Sequence, residues 1–161
     1  MDRRVTSRTI LVGIISDTHG LVRPEAIAAL AGSDLIIHAG DVGRREVIGE
    51  LRRVAPTFAV RGNIDTQAWA ASLPMTECVE VGETLFWVLH EISRLDLDPA
   101  HADFAAVVFG HSHKPSIETR EGVVYINPGS AGPRRFRLPI TIARVSVSGR
   151  KVCPEIVELV A

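Results

Sequence analysis

One pattern repeats along this chain and narrows the folds open to it: an apolar run that ends abruptly in a cluster of Asp, Asn, His and Gly. The first instance is Ile10–Gly20, ILVGIISDTHG. The run Ile10–Ile15 is short, continuous and rich in β-branched residues, which suits a central strand covered on both faces. It stops at Ser16, Asp17, Thr18, His19 and Gly20. Open α/β sheets bind their ligands outside the carboxyl ends of the strands. A carboxylate and an imidazole at that place make half of a metal site.

The pattern recurs. Pro24 suits the first position of a helix, with Ile27, Leu30 and the alanines as its apolar face and Gly32 as its stop. Asp34–Ala39 reads as a second buried strand, ending in Gly40, Asp41, Val42 and Gly43. Arg44–Arg53 reads as a surface helix that turns Val47, Ile48, Leu51 and Val54 toward the core. Thr57–Val60 is a third strand, ending in Arg61, Gly62, Asn63, Ile64 and Asp65. Strands separated by short helices pair in parallel through right-handed crossovers.

The period then changes. Thr76–Val81 and Thr84–His90 flank Gly82–Glu83 as a hairpin. Glu91–Ala102 is polar, a loop followed by a short helix. Ala105–Phe109 is another strand and ends in Gly110, His111, Ser112 and His113. Beyond it the chain reads as antiparallel. Ile117–Arg120 and Val123–Asn127 flank Glu121–Gly122, and Ile140–Ser146 and Lys151–Leu159 flank Ser148–Gly149–Arg150. The expected architecture is two sheets with helices outside, α/β first and a meander later. It forms one domain over residues 10–161, after a loose tail at residues 1–9.

Composition excludes several classes. With 161 residues, 46% of them hydrophobic, the chain can bury a core and is not disordered. A formal charge of −1 and a pI near 6.6 argue against a general binder of nucleic acid or membrane surfaces. Cys78 and Cys153 lie far apart in apolar patterns and read as buried small side chains in a reducing compartment. No apolar run is long enough for a signal peptide or a membrane span, so a cytoplasmic protein is expected.

Seven residues capable of ligating a metal stand at expected strand tips: Asp17, His19, Asp41, Asn63, His90, His111 and His113. Any one alone is more often a cap or turn residue. Their coincidence at every tip is the signal. Seven nitrogen and oxygen donors exceed what one four-coordinate ion needs, and suit two ions sharing a carboxylate. Asp41, central in the set and next to glycines, is the natural bridge. Imidazole, carboxylate and amide without thiolate favour manganese, iron, zinc or cobalt. Two such ions a few ångströms apart clamp a phosphoryl oxygen and activate water. Of the other histidines, His38 lies inside a strand and packs or hydrogen-bonds there, and His101 belongs to the surface.

In this order, SDTHG (16–20), GD (40–41), GNID (62–65), a His after a strand (His90), GHSH (110–113) and NPGS (127–130) resemble the motifs of the calcineurin-like metallophosphoesterases. The likeness is to the small YfcE-type phosphodiesterases, whose fold the retromer subunit Vps29 shares, and it spans Ile10 to Leu159. It implies a four-layer αββα sandwich of two mixed β-sheets flanked by helices. It implies one ion held by Asp17, His19 and His113, a second by Asn63, His90 and His111, and Asp41 between them. Asp41, Asn63 and His90 become the catalytic set. The ions would be divalent, with manganese favoured and nickel, iron or zinc as substitutes. A hydroxide held by the ions would attack phosphorus in line. The expected substrate is a small phosphodiester or nucleotide-like molecule, not a large nucleic acid or a membrane, and a homodimer or homotetramer is the expected assembly.

Some positions depart from the resembled pattern or extend it. Ile64 stands where larger members carry a histidine, which favours substrates with good leaving groups. Glu91 follows His90 where the family has glycine, and its charge would repel an anionic substrate unless turned outward. That residue supports the alternative of a weakly catalytic scaffold protein like Vps29, whereas the complete ligand set supports an enzyme. Asp65 is expected to hold a ligand imidazole or shape its turn. Asn127–Ser130 is expected as a loop beside the site. Arg134, Arg135 and Arg137 form a basic run that holds substrate or faces solvent.

Overall fold

The computed structural model describes residues 8–160. Of the tail expected at residues 1–9, residues 1–7 therefore lie outside the described residues. Strand β1 (Ile10–Ile15) leads to helix α1 (Pro24–Leu30), β2 (Leu35–His38), α2 (Arg45–Arg52) and β3 (Thr57–Ala59). Then come β4 (Thr76–Val81), β5 (Thr84–Leu89), β6 (Ala106–Val108), β7 (Ser116–Arg120), β8 (Val123–Asn127), β9 (Ile140–Ser148) and β10 (Lys151–Val160). They form two five-stranded sheets, in the orders β10-β9-β1-β2-β3 and β4-β5-β6-β8-β7.

Both sheets are mixed. β1, β2 and β3 pair in parallel, and β9 and β10 extend that sheet antiparallel from β1. In the second sheet β5, β6 and β8 run parallel, with antiparallel β4 and β7 at the edges. The antiparallel reading after residue 113 is corrected here. β8 lies parallel to β6 because the β7–β8 hairpin carries the chain back before it pairs. β9 then crosses to the first sheet and lies beside β1.

Period-two alternation builds the layers. Val12 and Ile14 of β1, Ile37 of β2, Phe86 and Val88 of β5 and Ala106 and Val108 of β6 face one another between the sheets. The opposite faces of the same strands serve the outer layers. Ile15 and Ile36 meet Ala26 and Leu30 of α1 and Val47, Ile48 and Leu51 of α2. Pro24 begins α1, and its apolar pair Ala26 and Leu30 sits four residues apart on one face. Val107 and Leu89 turn outward on the second sheet, beneath Trp87, Ile92, Leu95, Phe109 and Tyr125.

That last layer is a 3-10 turn (Ile92–Arg94) and the loop after it, where the sequence reads as a loop and short helix. Asp96, Asp98 and Pro99 interrupt any helical run there, and Ile92 and Leu95 still cover the sheet. The cysteines also differ from expectation: both are exposed and free. They lie on the edge strands β4 and β10. Among the described residues no helix is long and apolar enough to cross a membrane.

His38 is fully buried at the end of β2. Its tautomer follows from its partners. Gly40 N–H donates to Nδ1 at 3.1 Å, so Nδ1 accepts and Nε2 carries the proton. Nε2 then donates to Thr18 Oγ1 at 2.9 Å, and that hydroxyl donates to the Val42 carbonyl at 2.8 Å. A second proton on Nδ1 would face the Gly40 N–H. Burial, reinforced by the charge of His90 and opposed by Asp41, lowers the His38 pKa to about 3. Between that value and the ordinary value of 6.5 the unfolded chain binds a proton that the folded chain does not. Stability therefore rises with pH through this window. In metal-free protein the stability advantage of wild type over His38→Gln is expected to shrink from pH 7 to pH 4. Parallel denaturant titrations check this; a constant difference would contradict it.

Candidate metal centre

Parallel pairing explains why the ligand candidates meet. β1, β2 and β3 end on one edge, and there the chain places Asp17 and His19, Asp41, and Asn63. In the second sheet β5 and β6 also run parallel, and just past their ends stand His90, then His111 and His113. The two edges face each other, so all seven residues come together. Asp17, Asp41, His90 and His113 are buried, His19 is half-buried, and Asn63 and His111 line the open side.

Two triads present one donor atom each within 4.8 Å of one another: Asp17, His19 and His113, and Asp17, Asp41 and His90. His113 Nε2 lies 3.5 Å from Asp17 Oδ1. His19 Nε2 lies 3.6 Å and His90 Nε2 3.3 Å from Asp41 Oδ2, which places Asp41 between the two groups. Asp17 Oδ1 is also 3.9 Å from His90 Nε2, so Asp17 belongs to both triads. Asn63 Oδ1 reaches the second group, 3.1 Å from His90 Nε2 and 3.2 Å from His111 Nδ1.

The outer contacts decide which atoms remain free. His90 Nδ1 donates to the Ala39 carbonyl at 2.8 Å, which aims Nε2 at the carboxylates. Asp17 Oδ2 accepts from the Ser16 hydroxyl at 2.8 Å and from His111 N–H at 3.1 Å, leaving Oδ1 for the centre. Asp41 Oδ1 accepts from Ile64 N–H at 3.1 Å. Asp65 touches no imidazole. Its carboxylate instead accepts from the N–H groups of Val42, Gly43 and Gly62 at 3.1, 3.0 and 2.9 Å, tying the Asp41 loop to the Asn63 loop. Asn127 Nδ2 donates to the Gly110 carbonyl and the Ser112 hydroxyl, and Ser130 donates to the Asp17 carbonyl. The NPGS loop is therefore a brace behind the ligands.

Backbone strain is concentrated here. Asp17, His19, Asp41, His111 and His113 have φ of 54, 47, 57, 73 and 64°. Non-glycine residues in this region cost roughly 1–2 kcal/mol each, so the donors are held by their surroundings and not by local preference. Two glycines allow the close approach. A Cβ on Gly62 would collide with Asp41 Oδ1 and its backbone nitrogen, and one on Gly110 would collide with the Ser16 hydroxyl and stand 2.7 Å from Asp17 Oδ2.

Glu91 neither points into the centre nor turns away from it. Its Oε1 lies 3.2 Å from His111 Nε2, and its Oε2 accepts from Arg94 Nε at 2.8 Å. The two groups approach without a hydrogen bond, and the His111 ring meets Asn63 Oδ1 through Nδ1 at 3.2 Å instead. The negative charge expected to repel substrate is thus paired with Arg94 and stands beside a ligand candidate. No sequence spacing announces this pair. Arg134, Arg135 and Arg137 are exposed, and the Arg135 charge acts on His113.

The donors fit divalent cations. Asp17 Oδ1 and His19 Nε2 are buried without a hydrogen-bond partner, a costly state for a polar atom unless a cation or partner completes it. Asn63 Oδ1 faces His111 Nδ1 and both Asp41 oxygens, the latter at 3.3 Å. Turning the amide would replace acceptor by donor, but a cation gathered by these atoms needs the oxygen where it stands. The electrostatics agree. Burial pushes the Asp17 carboxyl up against the pull of His90. Burial also opposes ionisation of Asp41, but hydrogen bonds from His90 and Ile64 and the charges of His90 and His19 hold it below its ordinary value. His90 is raised by Asp41 and Asp17 despite its burial, and burial lowers His113. The pocket attracts positive charge, and it is built as the dinuclear centre of a metal-dependent hydrolase.

Glu91→Ala is expected to weaken the lower-affinity divalent ion about tenfold, and Gly62→Ala to lose divalent binding altogether. Competition against a metal-chelating dye measures both. Unchanged affinity in Glu91→Ala would show that the His111 contact orients nothing.

Residues 10–150 match the calcineurin-like phosphoesterase superfamily domain. A probable metallophosphoesterase of Methanocaldococcus jannaschii is 32% identical over 156 residues, 88% of this chain and 78% of that protein. In fold, the chain is similar to a novel archaeal phosphodiesterase, with TM-score 0.77 at 23% identity over 92% of this chain and all of the other. It is also similar to Vps29 of Chaetomium thermophilum, with TM-score 0.75 at 19% identity over 92% of this chain and 97% of that one. The family match covers nearly all of the described chain and every residue of the centre, so this protein belongs to the calcineurin-like phosphoesterase superfamily.

Proposed function

We propose that the protein is a phosphodiesterase that uses two divalent ions, with manganese the preferred metal, and cleaves a small, nucleotide-like diester. In this reading Asp17, His19 and His113 hold one ion, Asn63, His90 and His111 hold the other, and Asp41 serves both. The observation that supports it most is the convergence of two buried triads that share Asp17 and meet at Asp41. When bound, two divalent ions supply Lewis-acid charge to a phosphoryl oxygen and lower the pKa of the attacking water.

The chain's own residues do the positioning. His90, anchored through Nδ1, keeps Nε2 fixed against the carboxylates. Asn63, on the open side, offers its oxygen to the centre and its NH2 to a substrate oxygen. Asp41, Asn63 and His90 are the residues assigned to catalysis. A scaffold role on the same fold is disfavoured because a docking surface gains nothing from buried donors without partners. Two free, exposed cysteines support a reducing, cytoplasmic setting. The domain at residues 10–161 carries the activity, and self-association as a homodimer or homotetramer is part of the same proposal.

Chelated protein is expected to regain hydrolysis of an activated aryl phosphodiester on addition of manganese. Asp41→Asn is expected to stay folded, retain at most one ion per chain and lose at least a hundredfold in rate. Metal analysis alongside a steady-state assay checks both. Two ions bound with no turnover above buffer would favour the scaffold.

A further inference from the structure

Beside the centre, on the side of Asn63 and His90, lies a cleft of about 180 Å³. Met75, Leu89, Thr76, Arg61, Arg94 and Glu91 line it, and its surface is mostly apolar. Asn63 and His90 line it too, so it opens directly onto the metal-binding atoms. Arg61 stands out among its walls. Its backbone N–H is fixed to the Pro74 carbonyl at 2.8 Å. Its Nε is buried without a hydrogen-bond partner, and among the described residues no carboxylate pairs with its guanidinium. Arg94, in contrast, is engaged by Glu91.

We propose that this cleft is the subsite for one ester substituent of the diester, and that it takes a single planar ring, an aryl or nucleobase-like group. The proposal rests on the phosphodiesterase reading. Size supports a ring, since an apolar cavity of about 150 Å³ is enough to hold benzene. Chemistry supports a planar one. A guanidinium stacks on aromatic faces, and among the described residues no carboxylate holds that of Arg61 elsewhere. Apolar walls favour the ring over a second phosphate, whose desolvation they would not repay.

The test is calorimetric titration of manganese-loaded protein with methylphosphonate, phenylphosphonate and phosphonoacetate. Phenylphosphonate is expected to bind at least tenfold tighter than methylphosphonate. Met75→Trp, which fills the cleft, is expected to remove that difference, and Arg61→Met to reduce it. Met75 is 50% exposed, so its replacement leaves the core intact even if Arg61→Met does not fold. Equal affinity for the two probes in the wild type would overturn the proposal, as would a phenyl preference that survives Met75→Trp. Tighter binding of phosphonoacetate than of phenylphosphonate would also overturn it and make the cleft an anion site. If methylphosphonate itself fails to bind, the hydrolase reading fails first and this subsite with it.

Discussion

Two carboxylates, Asp17 and Asp41, are buried where the edges of two sheets meet, and the rest of the site depends on keeping them there. Buried carboxylates are unfavourable without a compensating charge. Their surroundings supply hydrogen bonds to one oxygen of each, from Ser16 and His111 to Asp17 and from Ile64 to Asp41. The remaining oxygens face imidazole nitrogens. Oriented in this way, the set attracts cations and not merely a proton.

The backbone shows what this arrangement costs. Five of the seven ligand candidates lie at positive φ. At roughly 1–2 kcal/mol each, the strain is on the order of the whole net stability of a domain, roughly 5–15 kcal/mol. Such a conformation persists only because the packing around it over-determines it. Asp65 ties two loops together through three N–H groups, Asn127 and Ser130 brace two more, and a buried apolar cluster between the sheets lies behind them. Divalent ions binding the folded state would offset part of that strain by mass action.

Much of this was legible in the sequence. Apolar runs ending in Asp, Asn or His marked the strand tips, because ligands at the carboxyl ends of parallel strands are close in space however far apart in sequence. All seven candidates assemble for that reason. The strand and helix positions followed from period and from Pro24, and the buried state of His38 from its place inside a strand. What the sequence hid depends on three-dimensional neighbours. Asp65 reads as a turn residue or a partner of histidine, yet its partners are backbone groups that carry no sequence signal. Glu91 reads as a misplaced charge until Arg94 and His111 are seen on either side. Cys78 and Cys153 alternate like core residues, but their strands lie at sheet edges, which only the strand order reveals. The parallel pairing of β6 with β8 was hidden for the same reason.

The account stands on two ions sharing one site, and anomalous diffraction from crystals grown with manganese addresses it most directly. It predicts two anomalous peaks per chain, one among Asp17, His19 and His113 and one among Asn63, His90 and His111, with Asp41 reaching both. A single peak, or peaks away from these residues, would contradict it.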